Sequence, residues 1–452
     1  MSGPKIFFAR LRDMAKRFDP RYVAFCKRTA EFRYPVAKLS ELLACPPEYG
    51  AGEAGKERTS IEQPRYIRIT DIDDNGELSG GLGATADTVE AKYFLLDGDL
   101  LFARSGATVG KCYLHEKSRV KYPCLYAGYM IRMRLKPSVL PKYVFAFTQT
   151  SYYREWVASV QRTAGQPNIN AQEYCSLQLP VPPLDVQEQI VAELDAAYAA
   201  KRAADEKATK LLASIDDMVL KELGIAKLPK PDTSLSSRIF TVPAREVLNG
   251  RLDPIAYQPI RRQFYKNVRE GTYEAVRLGE VVDVDRRQTD SLDGLTYVGL
   301  ENINGEDGSY CPTNDKESIS TAVLFQKGEI LFPKLRPYLN KVWLSDFDGA
   351  ASTEFFPLIP TGVSAEYLIV YLRLAQVAKV MTLLMTGNTL PRVQLEDVLS
   401  LPVPIPPRSV QDRIASAASS IRADARKLKA DATAALEAAK GKIEEELIRK
   451  EC

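Results

Sequence analysis

The chain has 452 residues, of which 45% are apolar and 26% are charged, and its formal net charge is +3. This length predicts two or three domains, each with a core of its own. No apolar run is long enough to cross a membrane, and the charged N-terminal stretch is not typical of a signal peptide. Seven scattered cysteines without a C-x-x-C pair indicate reduced thiols in the cytoplasm and disfavour a cysteine zinc site.

The sequence contains a single histidine, His115. Ser-His-Asp and Cys-His catalysis need a well-placed imidazole, and multi-histidine metal sites need several. We interpret His115, which lies between Leu114 and Glu116, as a surface residue. Carboxylate catalysis stays open, because 58 acidic residues allow some pair to meet, although no spacing singles a pair out.

The charge is distributed unevenly along the chain. Residues 1–183 hold 26 Lys and Arg against 19 Asp and Glu, whereas residues 240–407 hold 17 against 21. The overall charge of the first half therefore suits a polyanionic partner, while the second half needs local basic patches for the same partner.

The first predicted strands occur twice in the chain. Residues 65–72 (RYIRITDI) have the alternation of a strand, and residues 296–303 (TYVGLENI) repeat it. Further on, a turn glycine followed by an apolar run predicts strands at 98–102 (GDLLF) and 328–332 (GEILF). The chain is therefore predicted to contain two copies of one mixed domain.

A glycine-containing loop follows the second of these strands. Residues 105–111 (SGATVGK) resemble a phosphate-binding loop, but the glycines are one residue too close and Cys112 stands where Ser or Thr would bind magnesium, so this is no Walker A motif. The repeat, 335–341 (LRPYLNK), keeps the lysine. We interpret the loops as either nucleic-acid contacts or solvated hairpins. Their candidate DNA-binding cations are Arg104, Lys111, Lys334, Arg336 and Lys341.

Residues 129–136 (YMIRMRLK) alternate strictly between apolar and basic side chains. The alternation predicts a strand with one core face and one positive face, which could contact phosphates and bases or could simply be solvated. The aligned stretch 355–360 (FFPLIP) has no basic residue, so the two copies share a frame but not a surface. The candidate DNA-binding residues here are Lys121, Arg132, Arg134 and Lys136.

Two segments 224 residues apart, 181–190 (VPPLDVQEQI) and 405–414 (IPPRSVQDRI), each predict the start of a long helix. Paired prolines disfavour helix before them, so the helix begins just after. Asp185 with Glu188, and Ser409 with Asp412, have the spacing of helix caps.

Each long helix carries an apolar stripe, and the second stripe is rich in alanine. The helices either pack on each other as a coiled coil or lie separately on their own domains. A length of about 55–60 Å exceeds a small domain and favours the coil. The candidate coil and partner-interface residues are Ile190, Leu194, Leu211, Ile215, Ile414, Ile421 and Leu428.

The motifs GDLLFARSGATVGK, GEILFPKLRPYLNK, LPVPPLDVQEQI and VPIPPRSVQDRI resemble those of the specificity subunit of type I restriction-modification systems, in order and over essentially the whole length. The resemblance implies an α+β fold in which two long helices form an antiparallel coiled coil and hold two target-recognition domains in pseudo-two-fold opposition. The expected domains are 1–183 and 232–407, and the expected helical segments are 184–231 and 408–452.

The resemblance also implies a function. Such a chain is a non-catalytic, cytoplasmic subunit that reads a bipartite target in double-stranded DNA and directs partners to it, namely two methyltransferase subunits and a restriction/translocase subunit, without a membrane. It would bind no cofactor itself, and S-adenosylmethionine, ATP and magnesium are expected on the partners. The alanine-rich second helix weakens the docking inference, and the absence of SGATVGK from the second copy suggests a different half-site readout.

Two other functions stay open. The chain could be a stand-alone DNA methyltransferase or nuclease with its own active site, although we find no Asn/Asp-Pro-Pro-aromatic signature of such methyltransferases. It could also be a coiled-coil scaffold with no DNA role.

Overall fold

A computed structural model of the chain describes residues 20–27, 31–87, 90–161, 167–229, 234, 239–248, 254–313, 321–387 and 390–449. The chain divides into two compact units: residues 1–203 with 431–452 form unit 1, and residues 204–430 form unit 2. The predicted boundary at 231/232 and the last three residues lie outside the described part. Within that part, no helix combines the length and the apolar character that crossing a membrane requires.

Helices flank the strands of each domain, and two of them are far longer than the rest. In chain order the described helices are α1 (Pro20–Lys27), α2 (Leu39–Leu42), α3 (Pro141–Thr148), α4 (Ser151–Val160), α5 (Ala171–Cys175), α6 (Leu184–Leu223), α7 (Ala244–Leu248), α8 (Pro259–Arg269), α9 (Ala365–Leu372), α10 (Ala375–Leu383), α11 (Leu395–Leu399) and α12 (Arg408–Leu447).

The described strands are short. They are β1 (Glu31–Phe32), β2 (Val36–Lys38), β3 (Glu48–Tyr49), β4 (Lys56–Glu57), β5 (Arg65–Ile67), β6 (Ala84–Thr85), β7 (Leu100–Ala103), β8 (Cys112–Leu114), β9 (Cys124–Tyr126), β10 (Met130–Met133), β11 (Gln178–Pro180), β12 (Ala275–Arg277), β13 (Val282–Val284), β14 (Gln288–Thr289), β15 (Thr296–Val298), β16 (Ala322–Phe325), β17 (Ile330–Pro333), β18 (Trp343–Leu344), β19 (Gly349–Ser352), β20 (Phe355–Pro360), β21 (Pro402–Pro404) and β22 (Ile448–Arg449).

The sheets of the two units repeat each other. Unit 1 has an antiparallel sheet in the order β3-β10-β7-β8, and unit 2 has the matching order β13-β20-β17-β18. A second sheet in each unit contains one parallel pair, β5 with β9 or β15 with β19. A two-stranded ladder, β2 with β11 or β12 with β21, precedes each long helix. The predicted α+β duplication is therefore confirmed.

In each unit, segments of both long helices pack on the domain and on each other. Ile190 and Leu194 of α6 share a core with Leu436 and Ile443 of α12 in unit 1. In unit 2, Ile215 of α6 shares a core with residues near the start of α12. There, Arg413 of α12 donates a hydrogen bond of 2.6 Å to Glu222 near the end of α6, so the segments run in opposite directions. The predicted antiparallel packing of the two long helices is confirmed.

The predicted stripes agree with burial for α6 and for the first half of α12 only. Ile190, Leu194, Ile215 and Ile414 are buried, whereas Leu211, Ile421 and Leu428 are partly exposed. In the last part of α12, transfer of the α6 stripe by the 224-residue offset predicts that Ala432, Ala435, Ala439 and Lys442 face the core. The buried residues there are instead Leu436, Lys440, Ile443 and Leu447. The offset fails there because this part of α12 packs on the first domain, whereas the part of α6 from which it was transferred packs on the second.

The predicted caps of the long helices are wrong. The helices begin at Leu184 and Arg408, so Asp185 and Ser409 lie inside the first turn. A buried glutamine forms the polar contact at each start. The Gln187 amide accepts from Leu140 N at 2.9 Å and donates to Pro182 O at 2.8 Å.

Gln411 repeats this arrangement in unit 2. Its amide accepts from Ser364 N at 2.8 Å and donates to Pro406 O at 2.9 Å. Leu140 and Ser364 are the N-cap residues of α3 and α9, so each glutamine joins a long helix to the first residue of a domain helix.

An acidic turn of each domain also contacts a long helix. In unit 1, Glu77 accepts from Arg202 of α6 at 2.7 Å, and the Asn75 side chain accepts from Lys440 of α12 at 2.9 Å. In unit 2, Glu306 pairs with Lys429 of α12. We call residues 73–77 and 304–308 the docking turns.

Candidate nucleic-acid interface

The loops after β7 and β17, residues 104–111 and 334–341, have the same backbone frame; we call them the paired loops. In the first, Gly106 N donates to Pro167 O at 3.1 Å, and in the second, Arg336 N donates to Pro391 O at 3.3 Å. Both residues have a left-handed backbone conformation, with φ of 79° for Gly106 and 49° for Arg336. Glycine adopts this conformation without cost, whereas an arginine is strained there.

The second glycine of the first loop also has a left-handed counterpart. Gly110 has φ 92° and Asn340 has φ 52°. A side chain at Gly110 would lie 2.6 Å from the Val157 side chain. The glycines of SGATVGK are thus turn residues.

The lysine that ends each paired loop contacts other residues of its own domain. Lys111 Nζ lies 3.2 Å from Ile72 O and 2.8 Å from the Asp74 carboxylate, and this ion pair lowers the pKa of Asp74. Lys341 Nζ donates to Leu300 O at 2.7 Å. These two lysines hold neighbouring loops of the same domain, and their role as DNA contacts stays a prediction.

The exposed side chains of the second loop are different residues. Lys334 is half-buried over the Phe356 ring, donates to Thr353 O at 2.6 Å and has its pKa lowered by burial. Arg336 and Tyr338 are exposed. Among the described residues, no hydrogen-bond or ion-pair partner of the Arg336 side chain is found. The second loop therefore presents an accessible guanidinium and an accessible aromatic ring, two residues apart in the sequence.

The first loop presents a different surface. The Arg104 guanidinium lies 4.9 Å from the centre of the Tyr49 ring, and its buried Nε has no hydrogen-bond partner in the described part of the chain. Arg104 N donates to the carbonyl of Tyr129, whose side chain is 64% exposed. Sequence reasoning missed Tyr49 because β3 carries no alternation long enough to identify.

The positive strand face predicted for 129–136 is corrected. Arg132 is 4% exposed and pairs with Glu48 and with Phe94 O, and all four residues of β10 are buried. Arg134 binds the buried Asp99 carboxylate with two hydrogen bonds, of 2.7 and 3.2 Å. Arg132 also lies 3.9 Å from Asp99, so both arginines are directed to that buried carboxylate rather than to open solvent.

The remaining candidate cations differ in exposure and pairing. Lys136 is exposed but donates to Glu41 O at 2.7 Å, near the other end of β10. Lys121 is exposed, and within the described residues its side chain has no hydrogen bond or ion pair. Of the first-domain candidates, Lys121 and Arg104 are therefore the ones placed to meet a ligand.

The second domain lacks the arginines that neutralise Asp99. Glu329 occupies the corresponding position before β17, is 4% exposed, and its Oε2 has no hydrogen-bond partner within the described residues. Burial, together with the nearby Asp285 carboxylate, raises the pKa of Glu329 to about 7. The two copies thus differ in buried charge as well as in surface.

His115 is buried, which corrects its interpretation as a surface residue. Its ring nitrogen lies 3.2 Å from the Tyr113 hydroxyl, and burial lowers its pKa. Burial also raises the thiol pKa of Cys112 to about 12 and of Cys124 to about 11. The described part of the chain contains no group of three or more His, Cys, Asp or Glu side chains that could hold a metal ion.

One family accounts for both copies. The sequence model described as type I restriction modification DNA specificity domain matches residues 60–210 and again 270–438, together more than half of the chain. The chain belongs to this family. The resemblance to type I specificity subunits is confirmed, and each match includes one paired loop and one docking turn.

Among curated relatives, the chain is similar to two specificity subunits of Escherichia coli. It is 29% identical over 214 residues to the type I restriction enzyme EcoKI specificity subunit, covering 46% of this chain and 44% of that protein. It is 26% identical over 144 residues to the EcoDI specificity subunit, covering 31% and 32%. The matches therefore span less than half the length of these relatives.

Solved structures of the same kind are more distant. A structure described as the basis of complex assembly and conformational transition of the type I R-M system matches with 15% identity and a TM-score of 0.47, over 91% of this chain and 96% of the other. The type I restriction-modification S subunit of M. genitalium matches with 11% identity and a TM-score of 0.41, over 93% and 98%.

Proposed function

We propose that this chain reads a bipartite target in double-stranded DNA, one block per domain, and that it directs methyltransferase and restriction subunits to that target. In this function the chain is non-catalytic and acts in the cytoplasm. S-adenosylmethionine, ATP and magnesium belong to the partners. Family membership supports the general function, and the paired loops support the division into two readers.

The paired loops carry the proposal. The backbone hydrogen bonds and the positions with left-handed backbone are the same in both loops. The candidate ligand-binding side chains differ: they are Arg336 and Tyr338 in the second domain, and Arg104 with Tyr49 in the first. Two domains that read different base sequences need the same loop backbone with different side chains, because side-chain donors and acceptors distinguish the base edges.

Arg336 is the strongest single candidate for a DNA contact. The first copy has glycine at this position, which is the residue that the backbone favours. A strained arginine whose side chain is exposed must be kept for a contact outside its own domain, and a guanidinium can bind guanine with two hydrogen bonds. We assign to Arg336 the recognition of a base in the block read by the second domain.

Selection of bound duplexes from a random-sequence pool tests the proposal. The full chain should enrich two short blocks separated by unread bases, and Arg336→Gln should relax one position of one block only. Lys327→Gln, which removes an exposed cation of the same domain, should leave both blocks unchanged. Enrichment of one continuous block, or equal relaxation of both blocks by Arg336→Gln, would contradict two independent readers.

The competing function is a stand-alone methyltransferase or nuclease. Titration of the isolated chain with S-adenosylmethionine by calorimetry separates the two functions, since a methyltransferase must bind its methyl donor. Stoichiometric binding would favour the enzyme. Co-purification of the chain with a methyltransferase subunit that binds the cofactor would favour the specificity subunit.

A further inference from the structure

The second domain concentrates its positive charge on one helix. α8 has the sequence PIRRQFYKNVR, with four cations and no acidic residue among 11 residues. The domain as a whole has 17 basic and 21 acidic residues between 240 and 407, so this helix holds a large share of its cations. A domain with a net negative charge can bind a polyanion only through such a local patch.

One face of α8 is anchored in the domain and the opposite face is exposed. Phe264, Asn267 and Val268 are buried, and the Asn267 amide donates to Ala226 O at 2.9 Å. The exposed cations Arg262, Lys266 and Arg269 are spaced four and three residues apart, so they form one stripe roughly 10 Å long on the other face. We call these three residues the α8 stripe.

Helix stability explains only part of this charge. Cations in the last turn, such as Lys266 and Arg269, interact favourably with the helix dipole. Arg261 and Arg262 lie in the first turn, where the same dipole disfavours a positive charge and where acidic residues are usual. The first turn of α8 contains no acidic residue. The helix dipole therefore does not account for the two arginines of the first turn.

Neighbouring groups give the patch the character of a phosphate site. The Arg261 guanidinium lies 5.0 Å from the centre of the Tyr265 ring, and Tyr257 lines the same cleft as the stripe. Among the described residues that line the cleft, Glu270 is acidic, and it lies 3.8 Å from Lys266 in a pair that is mostly exposed. Such a pair is weak and salt-sensitive, so an incoming phosphate can replace it.

We propose that the α8 stripe binds phosphates of duplex DNA, outside the base-reading paired loop of the same domain. The inference rests on the proposed function, because it assumes that the chain binds duplex DNA. Phosphate contacts position a protein on DNA without reading its sequence. The α8 stripe thus supplies affinity to the second domain, and Arg336 supplies sequence preference.

The test compares two triple variants of the full chain. The first replaces the stripe (Arg262→Gln, Lys266→Gln, Arg269→Gln). The matched control replaces three exposed lysines of α6 in the same unit (Lys207→Gln, Lys210→Gln, Lys221→Gln). Binding to short random-sequence duplexes is measured across a series of salt concentrations, and the enriched sequence blocks are determined for each variant. Thermal unfolding verifies that both variants fold.

The stripe variant should bind every duplex at least about tenfold more weakly, and the slope of log K against log salt should fall by about two to three, one unit per lost phosphate contact. Its enriched blocks should equal those of the parent chain, and the control should keep the parental affinity and slope.

Unchanged affinity and slope in the stripe variant would overturn the inference. A change confined to one sequence block would also overturn it, since the stripe would then read bases. Intact DNA binding together with loss of a co-purifying methyltransferase subunit would assign the stripe to an acidic protein surface instead. If the parent chain itself bound no duplex, that result would contradict the proposed function, and with it the inference that rests on it.

Discussion

Gln187→Met tests whether the buried glutamines hold the long helices to the domains. Methionine keeps the length and volume of the side chain but cannot replace its two hydrogen bonds, to Leu140 N at 2.9 Å and Pro182 O at 2.8 Å. Gln187 is 1% exposed, so the two backbone groups would be left without water. Each unsatisfied group costs about 1–3 kcal/mol, and the pair should cost about 2–6 kcal/mol.

Amide hydrogen exchange measures this loss separately in each unit. Because tenfold in an equilibrium constant is about 1.4 kcal/mol, protected amides of β2, β11 and the first turns of α6 should exchange roughly 30- to 20,000-fold faster. Amides of unit 2 should be unaffected. Gln411→Met should produce the reverse pattern, and Glu188→Met, on the exposed face of α6, should change neither unit.

Two results would refute this reasoning. If Gln187→Met left exchange in unit 1 unchanged, the hydrogen bonds would contribute nothing beyond packing. If it accelerated both units equally, the helix start would not act within a single unit.

Further predictions concern buried charge and the long helices. The free energy of unfolding should fall as pH rises through about 7, because the raised pKa of Glu329 favours its protonated form in the folded state. The loss between pH 5 and pH 8 should be on the order of 2 kcal/mol in denaturant unfolding, and Glu329→Gln should remove it. Asp99→Asn should destabilise unit 1 by about 3 kcal/mol in the same assay, without altering the enriched DNA blocks, since it removes the buried carboxylate that pairs with Arg134 and lies 3.9 Å from the buried Arg132. Ile190→Asp should lower the thermal midpoint and the recovery of partner subunits more than Leu211→Asp, because Ile190 is buried and Leu211 is partly exposed. Exchange of residues 240–400 for those of a related chain should alter one DNA block only, and an altered second block would disprove independence.

The duplication and the long helices could be predicted because both have local signals. Glycine before an apolar run, and paired prolines before a helical stripe, act on neighbouring residues and are visible in one sequence. The helix caps could not be predicted in the same way. Spacing favoured Asp185, but the helix begins one residue earlier and Gln187 bonds to Leu140, a residue distant in the chain.

The candidate interface was predicted less well, for a related reason. Alternation in β10 correctly predicts a strand, but alternation does not reveal that Asp99 on the adjacent strand segment draws Arg134 inward. The lysines of the paired loops recur because each binds a backbone oxygen of its own domain. Gly106 and Arg336 occupy equivalent backbone positions because both have a left-handed φ, and the residue types alone do not show this.

The docking turns bear on how such a chain can evolve. Glu77 and Glu306 meet cations of the long helices, and in the first domain Lys111 of the paired loop pairs with Asp74 of the same docking turn. Mutations at the exposed positions of a paired loop, such as Arg336 and Tyr338, can therefore accumulate without disturbing the attachment of the domain. A domain acquired by recombination needs a compatible acidic turn, a partner for the buried glutamine and the lysine that ends the loop, but it needs no particular residue at the exposed loop positions. Selection for a new DNA target is in this way separated from selection for assembly.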